Sequence, residues 1–176
     1  RLILGDLTPD TGDGLHEGTP RVGFVRQHLE PSSPEQTLLA YCLEGIPGFG
    51  ETEREIARLE EALAAETDPE QKRRDLRLLG EAHTRFEQMG GYSLEARVKE
   101  SLGGLGYSTE DFGRPFASFS GGWRMRAELS RVLASKPELL LLDEPSNYLD
   151  LPAVEWLQRF LRAYEGTLVL ISHDRY

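Results

Sequence analysis

The 176-residue chain carries 30 acidic and 20 basic residues, a formal net charge of -10, with 39% hydrophobic and 28% charged positions. That balance is ordinary for a globular protein with a packed core and excludes collagen-like and wholly disordered chains. It also argues against coating nucleic acid or anionic membrane by bulk charge, so any such contact needs a local patch. The single cysteine, Cys42, excludes an internal disulfide and fits a reducing compartment. His16, His28, His83 and His173 show no metal-ligand spacing. No apolar run reaches the ~18 residues of a membrane span, and no secretory leader opens the chain. The expectation is a cytoplasmic protein.

Arg1 to Asp6 is an apolar run closing on Gly5, which reads as the last turn of a helix whose beginning lies before residue 1. After the turn-rich stretch from Thr8 to Gly18, Arg21 to Val25 reads as a short strand ending at Arg26-Gln27-His28. Pro31 and Pro34 precede a short helix near Glu35 to Leu43, and Gly45 to Gly50 reads as a loop.

From Glu51 to Leu105 the sequence turns charge-dense and helix-favouring. Ile56, Leu59 and Leu63 form one apolar stripe, and Leu76, Leu79, His83 and Phe86 another. Thr67-Asp68-Pro69 between them predicts a turn with proline in the first position of the second helix, hence an antiparallel hairpin. Glu70 and Arg74 are spaced for an i,i+4 pair. Leu94, Val98, Leu102 and Leu105 mark a third helix after Gly90-Gly91.

The last third alternates differently. Ser120-Gly121-Gly122 opens a helix to about Ser135, and Leu139 to Leu142 is an unbroken apolar strand of the parallel-sheet kind. A helix from Pro152 to Tyr164 leads to a second apolar strand, Thr167 to Ile171, completing a parallel strand-helix-strand unit. The fold class is α/β with an inserted helical hairpin. The domain reading is 1–50 and 106–176 for the α/β part and 51–105 for the helical insertion.

Asp143-Glu144-Pro145 follows the leucine strand, at the strand end where α/β folds bind ligands. An aspartate there can hold Mg²⁺ beside nucleotide phosphates, and the next carboxylate can orient a water. Ser120-Gly121-Gly122 at a helix start offers free N–H groups to phosphate. His173, between Ser172 and Asp174, follows the second apolar strand and falls at the same sheet edge. Taken singly, each also fits a bland reading: an acidic turn, a flexible N-cap, a surface histidine.

In this order, the strand-end Gln27, the helical insertion, Ser120-Gly121-Gly122, Asp143-Glu144-Pro145, Ser146-Asn147-Tyr148-Leu149-Asp150 and Ser172-His173-Asp174 together resemble an ATP-binding cassette (ABC) ATPase. The run Ser120 to Arg126 and the short insertion are similar to the ABC-F class, whose members carry two cassettes on one chain and act on ribosomes. The resemblance implies a P-loop-NTPase-like core, with Glu51 to Met89 as the arm of a first cassette. It implies Gln27 as the Q-loop residue sensing Mg²⁺ and water, and Ser120, Gly121 and Gly122 as the signature that binds the γ-phosphate held by the opposite cassette. Asp143 becomes the metal carboxylate, Glu144 the catalytic base, His173 the switch histidine, and Ser146 to Asp150 the D-loop, with Asp150 at the nucleotide interface. The sequence departs from the usual Asp-Glu-Pro-Thr-Asn-His-Leu-Asp at Ser146 and Tyr148.

No G-x-x-x-x-G-K-[ST] run occurs, and none of Lys72, Lys99 and Lys136 follows a glycine. The expectation is a cassette truncated at both ends, inactive alone, whose cofactors in the intact parent are ATP and Mg²⁺. Its partners would be a second cassette of the same chain and the ribosome, with Lys72, Arg73, Arg74 and Arg77 near the hairpin turn as the rRNA contact and no membrane. The alternatives are the ATP-binding subunit of an ABC transporter, a non-catalytic helical-hairpin interaction module, and a DNA-repair ATPase. A transporter subunit fits less well because the segment from Gln27 to Ser120 is long and charged. Intact Asp143, Glu144 and His173 speak against a non-catalytic module, and the insertion is short for the coils of a DNA-repair ATPase.

Overall fold

The computed structural model describes residues 11, 20–25 and 29–172. Three strands, β1 (Val22–Phe24), β2 (Leu139–Asp143) and β3 (Thr167–Ile171), form a parallel sheet in the order β1-β2-β3. Gly23 faces Leu140, and Asp143 faces Ile171, so the C-terminal ends of the strands share one edge. Parallel neighbours require crossover connections. Among the described residues, all the α-helices but one lie in the long crossover from β1 to β2; the last lies in the crossover from β2 to β3.

The first crossover holds α1 (Leu38–Glu44), α2 (Phe49–Ala65), α3 (Pro69–Gln88), α4 (Gly91–Gly104) and α5 (Gly121–Ala134). Helix α1 starts at Leu38 rather than near Glu35 because Thr37 caps it, its hydroxyl accepting from Ala40 N–H at 3.2 Å. Helix α2 reaches back to Phe49, inside the segment expected as a loop, since Gly48 supplies a left-handed start at φ 80° and Phe49 is buried against α1. The turn between α2 and α3 forms as its residues dictate: Asp68 caps α3 through Glu70 N–H at 3.1 Å and Pro69 takes the first turn. Arg85 of α3 meets Glu55 of α2 at 2.5 Å, as antiparallel helices require.

Not every expected stripe is a core. Leu59 is buried and Ile56 and Leu63 half-buried, but Leu76 is 52% exposed. A two-helix hairpin has only one seam, and on α3 the buried Asp75 and Ala82 share it with the half-buried Leu79, His83 and Phe86. Glu70 pairs with Arg73 at 3.9 Å rather than with Arg74.

Two apolar clusters share α5. One joins α1, the start of α2, α4 and the segment around Phe116, and draws residues from both sides of positions 50 and 106. The other joins β2, α5 and α6 (Leu151–Arg162). Gly104 lies directly under the Trp156 indole, where no Cβ would fit, so α4 and α6 close on each other. Within α5 every residue from Ala127 to Ala134 is buried, including Glu128 and Arg131. Among the described residues β1 and β3 are the edge strands, and Val169, Leu170 and Ile171 of β3 are exposed. No helix among the described residues is long and apolar enough to cross a membrane.

Candidate functional site

Strand β2 buries Leu140 and Leu142 and thereby delivers Asp143 to the sheet edge, where it is exposed. Glu144 follows in a left-handed conformation at φ 47°, sparsely populated for a side-chain-bearing residue. Its N–H donates to Ile171 O at 2.9 Å, which ties the turn to the end of β3. A short 3₁₀ turn, Pro145–Tyr148, then carries the chain to Asp150. Glu144 is half-buried and its Oε1 is shielded from solvent.

Helix α5 starts beside this turn. The Ser120 hydroxyl caps it, accepting from Trp123 N–H at 3.5 Å. A Cβ added at Gly121 would meet nothing within 4 Å, and one at Gly122 only the Tyr148 ring at 3.6 Å. Packing among the described residues therefore does not demand either glycine, though glycine is among the poorest helix formers.

Asp150 uses both carboxylate oxygens within the chain. Oδ1 accepts from Ala153 N–H at 3.1 Å, capping α6, and Oδ2 meets Arg126 at 3.2 Å. These bonds, the backbone one first, hold its carboxyl below the usual range. The turn after β2 thus follows Asp143, carries Glu144, leads to Asp150 and lies against the start of α5 where the Tyr148 ring meets Gly122. Gln27 and His173 lie outside the described residues, as does the helix end expected at Arg1 to Gly5. A small cavity of about 40 Å³ behind the carboxylates is lined by Val25, Arg126, Leu129, Asp143 and Glu144 among others.

A divalent ion beside nucleotide phosphates can be tested against these donors. Mg²⁺ keeps most of its shell as water and phosphate oxygens and needs one or two protein carboxylates. Asp143 and Glu144 match that demand, and the described residues hold no larger cluster of three or more ligand side chains.

Two features escaped the sequence reading. Arg126 bridges the end of α4, α5 and the turn after β2, a role that its place at the end of the Ser120–Arg126 run did not disclose. Arg131 and Glu128 form a buried fork on α5, with contacts of 2.6 and 2.7 Å, that also receives Tyr41 O–H at 3.1 Å and reaches Gly45 O at 2.7 Å. An acid three residues before an arginine on an apolar helix was the available cue.

Residues 2–147 match the family described as ABC transporter. The chain is 38% identical over 174 residues to the ATP-binding protein YheS of Escherichia coli K12, covering 99% of this chain and 25% of that protein. It is 33% identical over 183 residues to ABC transporter F family member 5 of Arabidopsis thaliana, again covering 99% of the chain and 25% of the relative. The chain thus spans about a quarter of the length of these relatives. Among solved structures, a chain of an inward-facing, metal-chelate type ABC transporter superposes with a TM-score of 0.52 at 24% identity, covering 98% of this chain and 55% of that one. A chain of the complex of archaeal ribosomal stalk protein aP1 with ribosome recycling factor aABCE1 gives 0.50 at 17% identity, with coverage of 98% and 25%. These likenesses concern the fold, a parallel sheet flanked by helices. With the family match running through the carboxylates at the end of β2, the chain belongs to the ABC transporter family, as an ATP-binding cassette similar to its ABC-F members.

Proposed function

We propose that this chain is part of the first cassette of a two-cassette ABC-F ATPase that couples ATP turnover to a step on the ribosome. The observation that carries the reading is the placement of Asp143 and Glu144 on the turn after β2, beside the open N-terminus of α5. In this reading Asp143 holds Mg²⁺, which supplies charge neutralisation at the phosphates when bound. Glu144 accepts a proton from the water whose oxygen attacks the γ-phosphorus, and the bond to the β–γ bridging oxygen breaks to release ADP and phosphate. Ser120, Gly121 and Gly122 present backbone N–H groups to the γ-phosphate of a nucleotide on the opposite cassette. Gln27 and His173 take the water-sensing and γ-phosphate roles.

No G-x-x-x-x-G-K-[ST] run occurs in residues 1–176. Without the lysine and backbone cradle for the β- and γ-phosphates, this stretch alone should bind Mg-ATP too weakly for calorimetry and should not hydrolyse it. The reading is tested in the full-length protein with Glu144→Gln, the other nucleotide site disabled. Turnover should stop while ATP binding persists, because an amide keeps the shape but cannot take the proton. Hydrolysis near the parent rate would show that Glu144 is not the base.

The ribosome half of the reading rests on the hairpin tip. Lys72, Arg73, Arg74 and Arg77 are all exposed about one to two and a half turns from Asp68, and Lys72 and Arg74 make no ion pair among the described residues. Such a patch meets rRNA phosphate by releasing counterions, so affinity falls with salt. Replacing all four with Gln should weaken cosedimentation with ribosomes and flatten its salt dependence, with ribosome-free ATPase activity unchanged. Unaltered cosedimentation across a salt series returns the tip to a solvated helix face.

A further inference from the structure

We infer that Arg126 is a positioning residue that holds the Glu144-bearing turn in register with the start of α5, so that the rate of turnover depends on it. The inference rests on the reading of Glu144 as the base, while the contacts of Arg126 are observed independently of it.

One guanidinium serves four elements. Its Nε donates to Tyr148 O at 2.6 Å, on the 3₁₀ turn that begins directly after Glu144. One terminal nitrogen donates to Leu105 O, just past the end of α4, and to Asp150 Oδ2, both at 3.2 Å. The group also lies 4.5 Å from the centre of the Trp123 ring, on the first turn of α5. Trp123 is itself held by an edge contact with Tyr107 at 4.9 Å and by the Tyr107 hydroxyl, which donates to its carbonyl. Only 11% of the Arg126 side chain is exposed, so these contacts face little competition from water.

The turn has reason to need such a hold. Glu144 sits at a left-handed φ of 47°, a conformation that persists only where surrounding contacts over-determine it. Its N–H is fastened to β3 on one side. On the other side Asn147 N–H donates to the Glu144 carbonyl at 3.2 Å, and next comes Tyr148, whose carbonyl accepts from Arg126 and whose ring lies against Gly122. Arg126 also lines the small cavity behind Asp143 and Glu144. A planar fork suits these divergent acceptors in a way that an ammonium does not. Asp150, with its carboxyl held low by Ala153 N–H and Arg126, adds a fixed negative charge that keeps the guanidinium in place.

The test compares Arg126→Gln, Arg126→Lys and Asp150→Asn in the full-length protein with the other nucleotide site disabled, reading kcat, KM for Mg-ATP and the melting temperature. For Arg126→Gln the expected result is at least a tenfold fall in kcat with KM within about twofold. Arg126→Lys, able to satisfy fewer of the acceptors, should recover only part of the loss. Asp150→Asn keeps a capping side chain for α6 and should lower kcat about two- to fivefold. A folded Arg126→Gln protein with kcat within twofold of the parent overturns the inference, as does a proportional rise in KM with kcat unchanged. If Arg126→Gln melts without cooperativity, Arg126→Lys and Asp150→Asn decide, and parental kcat in both overturns it. Glu144→Gln separates the two readings: if that variant still turns over, the assignment of the base has failed. If it is dead while the Arg126 variants are fully active, only the positioning role has failed.

Discussion

The α2–α3 hairpin and the α5–β2 region are built from the same kinds of residue and held together by different physics. Each contains a close arginine–glutamate pair: Arg85–Glu55 at 2.5 Å in the hairpin and Arg131–Glu128 at 2.6 Å in α5. The hairpin pair is 49% and 36% exposed, the α5 pair 7% and 0%. Solvent screens the first and leaves it worth little, whereas the second must be kept whole because a lone buried charge is costly. The hairpin has one narrow seam, while α5 is the common wall of two cores. Damage to α5 should therefore reach the site, and damage to the hairpin should not.

Breaking the two ion pairs separates the regions most sharply. In the full-length protein, Glu128→Ala should cost about 3–5 kcal/mol, since Arg131 stays buried without its carboxylate and Tyr41 loses its acceptor. Glu55→Ala should cost about 0.2–1 kcal/mol. Hydrogen exchange of peptides from α5 and α3 reads the two effects separately, and equal losses would refute the contrast.

Apolar truncation gives the next largest difference. Leu140 is fully buried at the centre of β2, so Leu140→Ala should cost about 2–5 kcal/mol through lost transfer energy and a cavity. Leu76, half exposed on α3, should cost no more than about 0.5 kcal/mol on the same change. Denaturant melts of the two variants measure this. A large loss for Leu76→Ala would mean that something covers that face of the hairpin.

The smallest expected effect sharpens the account of the core. Cys42 is fully buried, and desolvation first, then the Glu128 charge, push its thiol up. The thiol should resist alkylation at pH 8 in the folded protein and react only after denaturation. Because the folded state holds that proton more tightly than the unfolded chain, the contribution is present below the unfolded thiol value and declines as pH rises through it. Rapid labelling of native protein would show that α1 and α5 separate easily.

Much of this architecture was legible in the residues. Four leucines before Asp143, helix spacing at Leu94, Val98 and Leu102, and Asp68-Pro69 at a helix start are local patterns, and local sterics and periodicity decide them. The acidic turn and the serine–glycine helix start were legible for the same reason, because motif chemistry is written in consecutive residues. Other features come from contacts distant in sequence. Leu76 has the spacing of a core residue but not its burial, because only a partner surface can bury a stripe and the hairpin supplies one seam. Glu70 takes Arg73 instead of Arg74, a choice that rotamers make and spacing does not.

What the sequence by itself determined was the order and type of the elements and the identity of the acidic turn, since these follow from propensities acting over a few residues. What only the tertiary structure decided was which charges are buried, where Glu144 is strained and what Arg126 grips. Its acceptors at Leu105, Tyr148 and Asp150 lie about twenty residues away in either direction along the chain. No local pattern specifies such a meeting, because it exists only once α4, α5 and the turn after β2 have packed together and excluded water from the guanidinium.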